Sequence, residues 1–202
     1  MPNALIDWDV AAAALTGQQK SGDRYLVKAF EKSVLVAVVD GLGHGSEAAD
    51  SAKIAIDILD ANPGDNVISL FKCSHEALRK SRGAVMSLAL LNSLDATLTW
   101  MGVGNVDGLL VRANPDIKPR KESLLIRAGV LGGSLPELHA SIIPIMAGDT
   151  LVFTTDGIRS GFDHKVNGHD PPSEIAAHIL STYSKGSDDA LVLVARYQWQ
   201  RQ

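Results

Sequence analysis

Cysteine is nearly absent: Cys73 stands alone in 202 residues. No intramolecular disulfide can form. Positive charge is not in excess either. Nineteen Lys and Arg face twenty-three Asp and Glu, a net charge of −4. That balance excludes the basic field by which a chain attracts nucleic acid or an anionic membrane. The one short basic run, KPRKES at 118–123, lies between strand-like stretches and reads as a solvated loop. No apolar stretch approaches the roughly 18 residues that a membrane span needs. No Lys or Arg precedes Lys20, whereas Asp7 and Asp9 do, so the start lacks the basic region of a signal peptide. There is no repeat of fixed period and no low-complexity segment. These absences point to a cytoplasmic chain with neither nucleic-acid nor membrane partners. At 46% hydrophobic and 21% charged, residues 1–202 fit one domain with a sizeable core and no regulatory domain.

What is present is a series of short apolar runs. RYLVKAF (24–30) reads as the first strand, Glu31-Lys32 turns it, and VLVAVV (34–39) returns. The return strand is apolar on both faces and belongs inside a covered sheet. Ser46 is placed to cap a helix whose stripe is Ala48, Ala49, Ala52, Ile56 and Leu59. A second helix spans about 66–80. Strands follow at 84–91 and 97–103, and GLLVR (108–112) resumes the sheet. Ser123–Arg127 and 139–145 read as short strands, and TLVFTT (150–155) as a buried one. A polar loop covers 162–173, Ser173 caps a third helix, and SDDALVLVARY closes the chain as a strand. Hairpins dominate, with three helices inserted. The pattern argues for α+β, antiparallel sheets covered by helices, rather than an alternating parallel fold.

Acids stand at the strand ends. Asp23 precedes the first strand, Asp40 ends the second, Asp156 follows TLVFTT, and Asp188 and Asp189 open the last. If Glu31-Lys32 is a two-residue loop, Asp23 falls opposite Asp40; Glu-Lys is not a favoured primed-turn pair, so the other outcome is a slipped register that still keeps the two acids near one another. If the other two strands run beside this hairpin, all the acids gather at one edge. Like charges so close repel, and each resists ionising. A cation resolves the conflict, and oxygen-only ligands select Mg²⁺ or Mn²⁺. Singly, each acid is an ordinary turn residue. As a set, with two in Asp-Gly pairs after buried strands, they point to metal. Glycine after Asp40 lets the Gly41 carbonyl approach an ion, and Gly43 and Gly45 leave room for a phosphate at the start of a helix.

The ordered words SGD (21–23), VVDGLGHG (38–45), GDTLVFTTDGI (148–158) and SDDALVLV (187–194) cover nearly the whole chain. GVGN (102–105) and GVLGG (129–133) lie between them. Together they resemble the PPM-type metal-dependent serine/threonine protein phosphatases, and more narrowly their SpoIIE-like bacterial branch. The resemblance implies two packed antiparallel β-sheets flanked by helices, a four-layer α-β-β-α sandwich with a two-metal site at one end. It implies two divalent cations, Mn²⁺ or Mg²⁺. Asp40 would bridge them and the Gly41 carbonyl would bind one. Asp156 and Asp188 would hold the other, Asp23 would act through bound water, and Asp189 is the weaker ligand candidate. A hydroxide bridging the ions would attack phosphoserine or phosphothreonine, so catalysis falls to Asp40, Asp156 and Asp188. His44 is the nearest motif residue to protonate the leaving oxygen. Leu42 and Gly43 intervene where eukaryotic members place a histidine directly after Asp-Gly, so a structural His44, bonded within the loop, is the other reading. A chain without a sensor segment is similar to the compact branch member that resets the stressosome. That implies phosphorylated STAS-domain stressosome-type proteins as partners, in a stress response. Substrate-binding residues are not assigned.

Other features are decoys or alternatives. Cys73 and Arg79 have the spacing of a cysteine-dependent phosphatase, but the segment lacks glycine and reads as mid-helix, leaving a quiet, partly buried thiol. His75, His139 and His178 read as structural or exposed. His164 and His169 lie in the 162–173 loop, which follows Asp156 and borders the site. Trp8, Trp100 and Trp199 read as packing residues. A metal-free module that only binds a phosphoprotein, and a small-molecule phosphomonoesterase, are the competing functions.

Overall fold

A computed structural model describes residues 5–18 and 20–198. β2 (Asp23–Phe30) and β3 (Ser33–Gly41) form the expected hairpin about Glu31-Lys32. Glu31 takes φ 46°, the left-handed conformation that so short a turn demands. The register sets Asp23 opposite Asp40, as the loop length predicts. Side chains alternate along β3. Val34, Val36 and Val38 enter one core, and Leu35, Ala37 and Val39 enter another. A strand covered on both faces must be apolar throughout, and VLVAVV is.

Two sheets stack face to face. The hairpin sheet has the order β2-β3-β4-β5-β8, with β4 (Ala84–Asn92), β5 (Thr97–Val103) and β8 (Ile126–Arg127); β9 (Ser141–Pro144) also pairs with β5. The terminal sheet has the order β1-β11-β10-β6-β7, from β1 (Ile6–Ala13), β11 (Ala190–Tyr197), β10 (Thr150–Thr154), β6 (Asp107–Val111) and β7 (Lys121–Ser123). Every pairing is antiparallel except the two-residue match of β8 to β5.

Three cores separate four layers. Val38, Leu98, Trp100, Phe153 and Leu193 fill the space between the sheets. α1 (Ser46–Ala61) and α2 (Val67–Leu78) cover the hairpin sheet through Ala52, Leu59, Leu70 and Phe71. α3 (Pro172–Tyr183) covers the terminal sheet through Ile175, Ala176 and Ile179. Each large apolar side chain so buried contributes about 1.5–3 kcal/mol. The α-β-β-α sandwich expected of the sequence is the observed one. At the end of the terminal sheet away from Asp156, buried Arg112 pairs with Asp149 and Glu122 and ties β6, β7 and the entry to β10 together.

Several local expectations change. β1 is an additional strand. Its IDWDVAAA pairs only with β11, and alanine is a poor strand former, so the run carries little strand signal. Ser123–Arg127 is not one strand. It splits into β7 and β8, which belong to opposite sheets, so the chain crosses between layers at Leu124-Leu125. Ser46 and Ser173 are not caps; Gly45 and Pro171 occupy those positions without side-chain hydrogen bonds. Asn66 does cap α2, accepting from the Ser69 amide at 2.9 Å. Trp100 is buried, Trp8 is partly exposed against Tyr25, and Trp199 lies outside the described residues. No described helix is long and apolar enough to cross a membrane.

Candidate metal and active site

Strand pairing brings the acids together. Asp23 and Asp40 face each other across the β2-β3 ladder. β10 and β11 are neighbours in the other sheet, so Asp156, just past β10, meets Asp188 and Asp189, just before β11. Two hydrogen-bonded links close the seam between the sheets. The buried Thr155 hydroxyl donates to Asp23 Oδ2 at 2.7 Å and accepts from the Leu191 amide at 2.9 Å. Asp189, also buried, accepts from the Gly22 amide at 2.6 Å and the Leu15 amide at 2.8 Å.

The glycines answer to packing first. A Cβ on Gly41 would lie 1.9 Å from the Ala48 carbonyl of α1, and one on Gly157 would lie 1.9 Å from the Asp189 carbonyl. Glycine after each aspartate therefore lets another backbone pass against it. Gly43 and Gly45 have φ of 92° and 75°, which side-chain-bearing residues rarely adopt. The bare loop is thus what a sharp strand-to-helix turn requires.

Electrostatics show the crowding. Burial pushes Asp40 up to about 8, with Asp23, Asp156, Asp188 and Asp189 adding repulsion. Burial likewise raises Asp23 to about 7 against the Thr155 hydrogen bond, and Asp189, Asp156 and Asp188 raise it further. Asp156 is raised by burial and by Asp188, opposed by Lys185. Five carboxylates therefore feel one another at one end of the sandwich.

Their oxygens divide into used and open. Asp189 spends both on backbone amides. Asp23 spends one on Thr155, Asp156 one on Asn105 Nδ2 at 2.7 Å, and Asp188 one on the Asp189 amide at 2.9 Å. Asp40 spends neither on another described residue. Among the described residues, no three His, Cys, Asp or Glu side chains are drawn tightly enough to form a ready metal cage. The donor set nevertheless fits hard cations. It is all oxygen, it is mutually repelling, and it keeps open lone pairs on Asp40, Asp23, Asp156 and Asp188.

His44 is exposed and makes no hydrogen bond to another described residue, so the loop-bonded structural role does not hold for it. Cys73 is exposed on α2 rather than partly buried, and Arg79 pairs with Glu76, so no phosphate loop forms there. His75 is the structural histidine: it is buried, and its Nδ1 accepts from the Gly132 amide at 3.0 Å. His139, His164, His169 and His178 are exposed. Sequence reasoning missed Thr155, Asn105 and Lys185, whose ammonium donates to the Asp156 carbonyl. Each sits inside or beside a quoted motif, but only the fold turns it toward an acid.

Two expectations follow. Asp189→Ala should cost about 1–3 kcal/mol, because the Gly22 and Leu15 amides lose their acceptor. Asp188→Ala, at an exposed position, should stay within about 0.5 kcal/mol. Denaturant titration of the two variants checks the contrast, and equal losses would remove the clamp role. The second concerns pH. Below about 4, the folded and unfolded chains both hold the Asp40 proton; as pH rises toward 8 the unfolded chain has released it and the folded chain has not. In chelator, wild type should therefore lose melting temperature relative to Asp40→Asn steadily between about pH 4 and 8. A constant difference would mean Asp40 is not held against its charge.

The family model for Stage II sporulation protein E (SpoIIE) matches residues 31–198. Phosphoserine phosphatase RsbX of Bacillus subtilis (strain 168) is 29% identical over 145 residues, 71% of this chain and 70% of that protein. A chain solved in a study of the bacterial stressosome has 29% identity and a TM-score of 0.85, over 95% of this chain and 99% of that one. The crystal structure of RsbX in complex with magnesium has a TM-score of 0.86 at 24% identity, covering 98% of both chains. The expected likeness to a SpoIIE-like phosphatase is thereby met, and the protein belongs to the SpoIIE family.

Proposed function

We infer that this chain is a metal-dependent protein serine/threonine phosphatase acting on phosphoserine or phosphothreonine, and that its substrate is a STAS-domain protein of a stressosome-type complex. The observation that carries the reading is the crowding of five carboxylates, from both sheets, beside a turn stripped of side chains. Likeness to a phosphoserine phosphatase and to a chain from a stressosome study supports the substrate class.

Two divalent cations, manganese or magnesium, are the fitting cofactors. Asp40, the Gly41 carbonyl, Asp23, Asp156 and Asp188 would hold them, and Asp189 serves as clamp. Bound divalent ions lower the pKa of coordinated water and offset charge on phosphoryl oxygens.

The chain's own residues prepare the rest. Thr155 fixes the Asp23 carboxylate from the opposite sheet, and Asn105 fixes that of Asp156. The glycines at 41, 43 and 45 add no side chains of their own beside Asp40, which leaves more room for a phosphoserine to approach. α1 begins at that loop without a side-chain cap, and its N-terminal amides favour an anion there. His44 stands exposed in the same loop, free to give a proton to the departing serine oxygen. No side-chain nucleophile is needed, which agrees with Cys73 lying mid-helix.

An aryl phosphate assayed with Mn²⁺, Mg²⁺ or chelator tests the reading. Turnover should need the metal and fall about a hundredfold or more in Asp40→Ala, the rate equivalent of several kcal/mol. Turnover that survives chelator would defeat it. A phosphoserine STAS protein then tests the substrate class; hydrolysis of free phosphoserine alone would favour a small-molecule enzyme. His44→Ala should slow phosphoserine hydrolysis on the order of a hundredfold while sparing the aryl phosphate, whose leaving group departs without a proton. Equal slowing of both would deny His44 that role.

A further inference from the structure

We propose that a basic groove beside loop 160–171 seats an acidic stretch of the phosphoprotein substrate, a few residues from the phosphorylated side chain. The proposal deepens the phosphatase reading and rests on it.

After Asp156-Gly157 the chain does not enter α3 directly. It passes through a 3-10 turn (Phe162–Lys165) and reaches the helix at Pro172. The loop is anchored at several points. Lys121 donates to the Asp163 carbonyl, Arg196 to the Asp170 carbonyl, and Thr150 Oγ1 to the Gly168 carbonyl at 3.4 Å. It therefore forms a wall rather than a loose flap.

Clefts run along this wall. One of about 260 Å³ lies between Asp107, Ser123 and the Ser160–Asp163 segment. Asp107 is within electrostatic reach of Lys185, which touches the Asp156 carbonyl, so this cleft lies on the Asp156 side of the wall. Beyond it lies a cleft of about 530 Å³, lined by Val111, Arg120, Lys121, His164 and Asn167 among others, with no carboxylate in its lining. Arg120 and Lys121 belong to the KPRKES run that the sequence alone presents as solvent-facing. Arg120 is exposed and has no ion-pair partner among the described residues. An unpaired arginine at the mouth of a groove favours a carboxylate-bearing occupant.

Charge complementarity selects the occupant. The chain carries a net charge of −4, so an acidic substrate would otherwise be repelled. A local basic groove reverses that bias for a substrate in the right register. The register can be estimated from the strands. β6 runs from Asp107, opposite Thr154, to Val111, opposite Thr150. From Asp156 to Val111 is then about six strand residues, or roughly 20 Å at 3.3 Å each. An extended substrate would cover that distance with about five or six residues between the phosphoserine and the acidic stretch.

The test uses fluorescein-labelled phosphoserine peptides with a Glu-Asp-Glu stretch about five residues to either side of the phosphoserine, and matched peptides with Gln-Asn-Gln. kcat/KM and binding anisotropy are measured at low ionic strength for wild type, Arg120→Glu and Lys121→Gln. One acidic peptide should be preferred about tenfold or more, through KM, and Arg120→Glu should erase the preference without changing aryl phosphate turnover. Equal kcat/KM for acidic and neutral peptides in wild type, or a preference that survives Arg120→Glu, would overturn the proposal. If Arg120→Glu does not fold, Arg120→Gln gives the same comparison with a smaller loss. If wild type does not turn over aryl phosphate, the phosphatase reading fails. Anisotropy then still decides the groove, by whether Arg120→Glu weakens binding of the acidic peptide.

Discussion

Like charges held together across a seam are the constraint on which this molecule is organised. Asp23 and Asp40 come from one sheet, and Asp156, Asp188 and Asp189 from the other. Left alone, such a group would push the sheets apart at that end. Thr155 and Asp189 oppose this by hydrogen-bonding across the gap, to Asp23 and to the Gly22 amide. A buried polar group costs little when its partners are present and much when one is removed. The clamp is thus built from two of the acids themselves, Asp23 and Asp189, held by Thr155 and by backbone amides.

The rest of the architecture serves that end. The three cores carry the apolar burial, and the Arg112 network closes the far end of the terminal sheet, away from the repulsion. Glycines at 41 and 157 let backbones pass where the acids converge, so the space at the cluster is made by close packing nearby. A turn that α1 needs for its own entry also adds few side chains beside Asp40. Function here uses room that the fold already had to make.

The loop after Asp156 extends the same logic outward. A chain of net negative charge repels acidic phosphoproteins, and a wall carrying Arg120 and Lys121 offsets that in one direction only. Turnover and choice of substrate would then reside in different parts of one surface, joined by the Asp107 cleft.

Much of this was determined by the sequence itself. VLVAVV reads as a strand covered on both faces, and a two-residue turn at Glu31-Lys32 points to Asp23 opposite Asp40, a register that Glu-Lys alone leaves able to slip and the structure adopts. The acid set and the Asp-Gly pairs were legible as residues, since their chemistry is local. β1 was not, because a one-sided edge strand rich in alanine has no strong periodicity, and the split of 123–127 between sheets leaves no trace in composition. Tertiary structure alone decided that Thr155 reaches Asp23, that Asp189 rather than Asp188 is the buried clamp, and that the KPRKES run borders a groove. Each of these depends on which residue of the opposite layer lies within hydrogen-bond or Coulomb range. That is set by how the two sheets stack, and no local pattern along the chain encodes it.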